Sequence, residues 1–281
     1  MGAVTIKKHV NGLQYLDVNT LHCTARIFLQ GAHIDAFQPK GKKPLLWTSA
    51  ANDYQAGCGI RGGVPICWPW FGAHATAGFP QHGFARTSLW DLDSVNEYDD
   101  ALEITLSLSI SDDHKPYWPH HTGVAVCFRL SDTLSISLIN INHGGSDVSL
   151  TQALHSYFPI GDIHQLQASG FKGAKYVEFA QGPYPQSQDH VLFNAETDRV
   201  YTDLGSVQQL HTTDGVIEIS RENSASAVLW NPWIDKSQRL SRFNDHDYLS
   251  MVCLEAANVA EDKITLAPNT RHTLTTHIRW L

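Results

Sequence analysis

"ALEITLSLSI", residues 101–110, puts Leu102, Ile104, Leu106, Leu108 and Ile110 at alternate positions, with Glu103, Thr105, Ser107 and Ser109 between them. Successive side chains of a strand point to opposite faces, so this period of two predicts a strand with one buried face. "GVAVCFRL" (123–130) repeats the pattern through Val124, Val126, Phe128 and Leu130, and "TLSISLIN" (133–140) through Leu134, Ile136 and Leu138. Ser131-Asp132 offers a short turn between them, which predicts a hairpin. "TLTTHIRWL" (273–281) is a further strand candidate. Nothing in the sequence has the pattern of a four-turn amphipathic helix, and glycine or proline recurs about every ten residues. That punctuation favours antiparallel strands in a sandwich or barrel. The expectation is an all-β protein, a large antiparallel β-sandwich forming one domain over residues 1–281. No linker, low-complexity tract or internal repeat interrupts it.

The 281 residues are 42% hydrophobic and 17% charged, a globular composition. A formal charge of −8 without any basic run argues against nucleic acid as a partner. A small anionic substrate would need a local cationic site. In a fold of strands, arginine or lysine side chains must supply it. Five cysteines, odd in number and never spaced C-x-x-C, suit reduced thiols in the cytoplasm. The first residues contain no apolar signal core, and Ile6 stands where a myristoylation motif on Gly2 would require Ser or Thr. A soluble cytoplasmic monomer without a membrane partner is expected.

"CGIRGGVPICWPWFG" (58–72) is rigid, aromatic and carries a single cation, Arg61. Gly57, Gly59 and Gly62 match G-x-G-x-x-G, but Pro65 and Pro69 follow where a dinucleotide site needs a helix. The segment reads instead as a packed arm, with at least two of Trp68, Trp70 and Phe71 in the core, that could hold Arg61 over a pocket. His114, His120 and His121 lie close in sequence, yet proline breaks the stretch and no carboxylate or cysteine stands at ligand spacing. They read as solvated loop histidines, and no metal is expected. There is no G-x-S-x-G elbow for a nucleophilic serine.

Three other segments point to acid–base chemistry. "PQHGFAR" places His82 and Arg86 around Gly83, "QALHSYFPIG" puts His155 at an apolar strand end, and "MVCLEAANV" sets Glu255 inside a buried strand. Burying a carboxylate is costly without partners or a purpose. A histidine and a glutamate in apolar settings suggest a proton-exchanging pair with tuned pKa values.

In this order, "IRGGVPICWPWFG", "PQHGFAR", "LHSYF", "LWNPW" and "VCLEAANV" resemble the hexose-6-phosphate mutarotase (glucose-6-phosphate 1-epimerase) family, within the galactose mutarotase-like group. The resemblance covers roughly residues 20 to 280. It implies a β-supersandwich and interconversion of the α and β anomers of an aldohexose 6-phosphate, without a cofactor. It further implies His155 and Glu255 as the catalytic acid and base, Arg61 and Arg86 as phosphate ligands, and His82 in the sugar site. Asp203 in "VYTDLG" would hold sugar hydroxyls, although its flanks are not distinctive. A mutarotase of free aldoses, or a carbohydrate-binding protein without catalysis, are the alternatives; the two arginines and the retained His–Glu pair argue against them respectively.

Overall fold

Strands whose apolar rows face one another account for the architecture. The computed structural model describes residues 3–281, so Gly2 lies outside the described residues. The Leu102–Leu108, Thr122–Leu130 and Leu134–Asn142 strands pair in antiparallel order. Their register sets Ile104 opposite Phe128 and Phe128 opposite Ile136, while Leu106 meets Val126 and Val126 meets Leu138. All six side chains are buried. Each contributes about 1.5–3 kcal/mol relative to exposure. The first strand ends at Leu108, so Ile110 falls outside it, and the hairpin turn takes three residues, Ser131 to Thr133, rather than two.

These strands belong to a nine-stranded sheet in which the Arg271–Trp280 strand lies beside Leu134–Asn142. An eight-stranded sheet holds Met251–Asn258 near its middle, flanked by Ser226–Asn231 and by the short Gln152–Leu154 and Tyr157–Pro159 strands. A four-stranded sheet of residues 4–39 and a two-stranded ribbon complete the set among the described residues. One continuous apolar core runs from Leu16 to Trp280 and unites the sheets. The only α-helix among the described residues is Trp233–Ser237, and none is long and apolar enough to cross a membrane.

The arm of residues 58–72 is fastened as its composition suggests. Trp68 and Trp70 are buried, Phe71 is half-buried, and Trp68 Nε1 donates to Asn140 Oδ1 at 2.7 Å. No helix follows its glycines; Ile66–Cys67 instead adds a short strand to the eight-stranded sheet. Gly83 has a φ of +73°, and a Cβ there would collide with the Trp68 carbonyl, so only glycine lets the 80–86 loop close on the arm.

Candidate active site

The site grows out of an interruption. Gln152–Leu154 and Tyr157–Pro159 both pair with Met251–Asn258, Leu154 opposite Ala256 and Tyr157 opposite Cys253. His155 and Ser156 bridge the gap, and the His155 N–H donates to the Pro65 carbonyl at 3.0 Å. This brings the His155 ring over Glu255, with Nε2 3.4 Å from Oε1. Glu255 is 1% exposed and His155 9%. Glu255 Oε2 and His155 Nδ1 are buried without a hydrogen-bond partner. Such orphans each cost about 1–3 kcal/mol, a cost that a proton-exchanging site can justify.

Burial pushes the Glu255 carboxyl well above its ordinary range, and the nearby Asp198 adds to the effect. Burial likewise pushes the His155 imidazole well below its ordinary value, helped by His82, Arg61 and Arg86. Both shifts disfavour separated charges. The pair therefore holds one proton, as carboxyl plus imidazole or as carboxylate plus imidazolium.

His82 lies 5.9 Å, ring to ring, from His155. Its Nδ1 accepts from the Gly72 N–H at 3.1 Å, so the neutral ring carries its proton on Nε2. Burial, then Arg86 and Arg61, hold its pKa down to about 3. Arg61 has its backbone bracketed by Asn52, whose Oδ1 accepts from the Arg61 N–H and whose Nδ2 donates to the Arg61 carbonyl, both at 2.8 Å. Arg61 Nη1 donates to Tyr157 Oη at 3.4 Å. Arg86 Nη2 donates to the Gln81 carbonyl at 2.8 Å. Both arginines are half-buried, and neither has a carboxylate partner among the described residues. Guanidinium groups without a carboxylate partner carry the charge and the planar donor fork that suit an anion.

Five of the six expected site residues thus converge: Arg61, His82, Arg86, His155 and Glu255. Asp203 does not. It is exposed, has a φ of +53°, and lies past the end of the Thr197–Thr202 strand. Asp198, at the other end of that strand, lies near Glu255 instead. At about 3.3 Å per residue, the two are roughly 16 Å apart. Asp198 pairs across to Trp230, and Trp230 to Cys253, on the same face as Glu255. Motif reading missed Asp198 because only this register brings it in. It missed Tyr157 and Trp230 as well: Tyr157 stacks on His155 at 4.9 Å and 8°, and Trp230 meets His155 edge-on at 6.1 Å.

Of the clustered histidines, His114 is partly exposed and stacks on Phe84 at 4.4 Å. Among the described residues no three His, Cys, Asp or Glu side chains converge as metal ligands. Cys67 and Cys253 lie buried near Glu255, and burial raises both thiols above the usual range.

The sequence model described as aldose 1-epimerase matches residues 14–279. A protein of Escherichia coli K12, provisionally named glucose-6-phosphate 1-epimerase, is 34% identical over 271 residues, which cover 93% of this chain and 89% of the relative. A Salmonella typhimurium protein with the same provisional name is 34% identical over 90% of this chain and 85% of its own. The crystal structure of a provisionally named mutarotase from Salmonella typhimurium superposes with a TM-score of 0.91 at 30% identity. The match spans 99% of this chain and 93% of that one.

Proposed function

This chain belongs to the aldose 1-epimerase family, and from that premise we propose that it interconverts the α and β anomers of an aldohexose 6-phosphate as a single-domain isomerase. Two features carry the reading together: the buried His155–Glu255 pair and the two half-buried arginines without carboxylate partners. A neutral sugar needs no dianion clamp. The provisional names of the two bacterial relatives support the same substrate class.

In the ring-opening step, one member of the pair takes the proton from the C1 hydroxyl. The C1 oxygen becomes a carbonyl as the bond from C1 to the ring oxygen breaks, and the ring oxygen receives the proton held by the other member. The C1–C2 bond then rotates, and reclosure on the other carbonyl face returns both protons with the roles exchanged. With Glu255 as base, His155 is the acid; the other tautomer reverses these roles at the same proton count. Each group supplies about 10²–10⁴-fold, or roughly 3–5 kcal/mol off the barrier. Arg61 and Arg86 bind the phosphate, His82 Nε2–H donates to the sugar, and Asp198, in place of Asp203, accepts from its hydroxyls.

Saturation-transfer NMR on glucose 6-phosphate, with glucose and galactose as controls, tests the reading. Exchange faster on glucose 6-phosphate than on either free sugar is expected; no enhancement over buffer would overturn it. Replacing Arg61 or Arg86 by Ala is expected to weaken hexose-6-phosphate binding by about 1.5–3 kcal/mol and to alter turnover of free glucose far less. Equal losses on both substrates would make the arginines structural.

The pH dependence follows from the shared proton. His155 is lowered and Glu255 raised, so the singly protonated pair spans a wide interval. The kcat profile should be flat through neutrality and on below the ordinary histidine value, failing on the acid side only once the pair gains a second proton. A narrow bell centred near the ordinary histidine value would contradict the shared-proton assignment.

A further inference from the structure

The "LWNPWIDKSQ" segment remains without a role in the steps above, although its backbone is unusual. Trp233 adopts a φ of +55°. For a bulky residue, this conformation persists only where its surroundings over-determine it. Asn231 does so here. It is fully buried, its Oδ1 accepts from the Trp233 N–H at 2.9 Å, and its Nδ2 donates to the Tyr248 and Met251 carbonyls at 2.9 Å. Ser237 Oγ then donates to the Trp233 carbonyl and closes the one-turn helix.

The turn delivers Lys236. Its Nζ lies 2.8 Å from Glu196 Oε1, 3.7 Å from Asp198 Oδ2 and 5.8 Å from the centre of the Trp230 ring. Among the described residues, the other charged groups facing Asp198 are Glu196, just before its strand, and Glu178 on the neighbouring strand, while Glu255, from the strand beyond Trp230, keeps its proton. Glu178 is itself engaged by Arg199 at 3.0 Å. Lys236 is thus the cation that serves Asp198.

We propose that Lys236 is a positioning residue of the reaction, keeping Asp198 ionised and aimed at the sugar, and that the strained Asn231–Trp233 turn exists to place it there. The assignment rests on the anomerase reading, because Asp198 needs a sugar to hold. Burial works against it, pulling the Asp198 carboxyl upward while Lys236 pulls it down. Without the ammonium, burial and the Glu196 and Glu178 carboxylates would favour the protonated acid, which offers a hydroxyl group one acceptor fewer.

The test compares kcat/KM of variant and wild type at each pH, so that ionisation of the substrate phosphate cancels. Lys236→Met is expected to lose about tenfold at pH 6, mainly in KM, and to recover to within about threefold by pH 8, since losing an opposite charge moves a carboxyl by roughly 1–3 units. Lys236→Arg should restore the wild-type profile. In an Asp198→Asn background, Lys236→Met should have no further effect, and Glu196→Gln alone should stay within about twofold of wild type. A loss independent of pH, or one that adds to that of Asp198→Asn, would overturn the proposal and leave Lys236 as a tie between helix and strand. Wild-type protein inactive on hexose 6-phosphate would instead sink the anomerase reading.

Discussion

Glu255→Gln is expected to fold, bind hexose 6-phosphate within about tenfold of wild type, and lose roughly 10²–10⁴ in kcat. The amide matches the carboxyl in shape but cannot exchange a proton with the substrate. His155→Asn should behave alike, and the double variant should lose less than the product of the two, since they share one proton. Near-normal turnover in Glu255→Gln would remove this residue from the mechanism. Stability supplies an independent readout. The folded pKa of Glu255 lies above its unfolded value near 4.5, so above that pH the unfolded state is ionised while the folded state still holds the proton. Folding therefore becomes less favourable as pH rises, by about 1.4 kcal/mol per unit until the folded pKa is reached. The amide is free of this penalty, so the inactive variant should melt higher than wild type at pH 8 and not at pH 4. A variant that is both inactive and unstable at pH 8 would point to a structural glutamate.

The second large effect is acid lability. His33 is 1% exposed, and burial holds its pKa down to about 4; burial also lowers His155 well below its ordinary value, and the half-buried His82 to about 3. Each folded pKa lies below the unfolded value near 6.5. The stability these groups carry is thus complete above pH 6.5 and is lost as pH falls toward the folded values. Unfolding takes up two to three protons through them, while Glu255 releases one above pH 4.5. The net is about one to two protons, or roughly 1.4–2.7 kcal/mol per pH unit. Two units of acidification would remove about 3–5 kcal/mol from a total that is typically about 5–15. Urea midpoints between pH 4.5 and 7.5 measure the slope. His33→Asn should flatten it by about one proton, and Glu255→Gln should steepen it by one. A stability that is level across this range would mean that the histidines are not held neutral.

The period of two in residues 102–108, 124–130 and 134–138 is a local property, because side-chain direction in a strand follows from the backbone alone. Strand identity and burial were legible there for that reason. The unbroken apolar run around Glu255 was equally legible, since a carboxylate among Val252, Leu254 and Ala256 conflicts with its surroundings wherever the strand goes. Arg61, His82, Arg86 and His155 stand in segments distinctive enough to be recognised by resemblance. Asp203 illustrates where that reading ends. An aspartate in unremarkable flanks has no local mark of function, and Asp198, five residues earlier, is just as unremarkable.

Composition and pattern alone therefore determined the all-β class and the buried strand carrying Glu255. The tertiary structure decided everything that depends on register between distant strands. It set His155 over Glu255 through the Gln152–Leu154 and Tyr157–Pro159 pairings, and put Asp198, rather than Asp203, on the face of Glu255 through its alignment with Trp230. It brought Lys236 to Asp198 by way of one strained turn. The physical reason is that a strand's own sequence specifies which face each side chain takes, whereas its neighbour is selected by burial summed over the whole core.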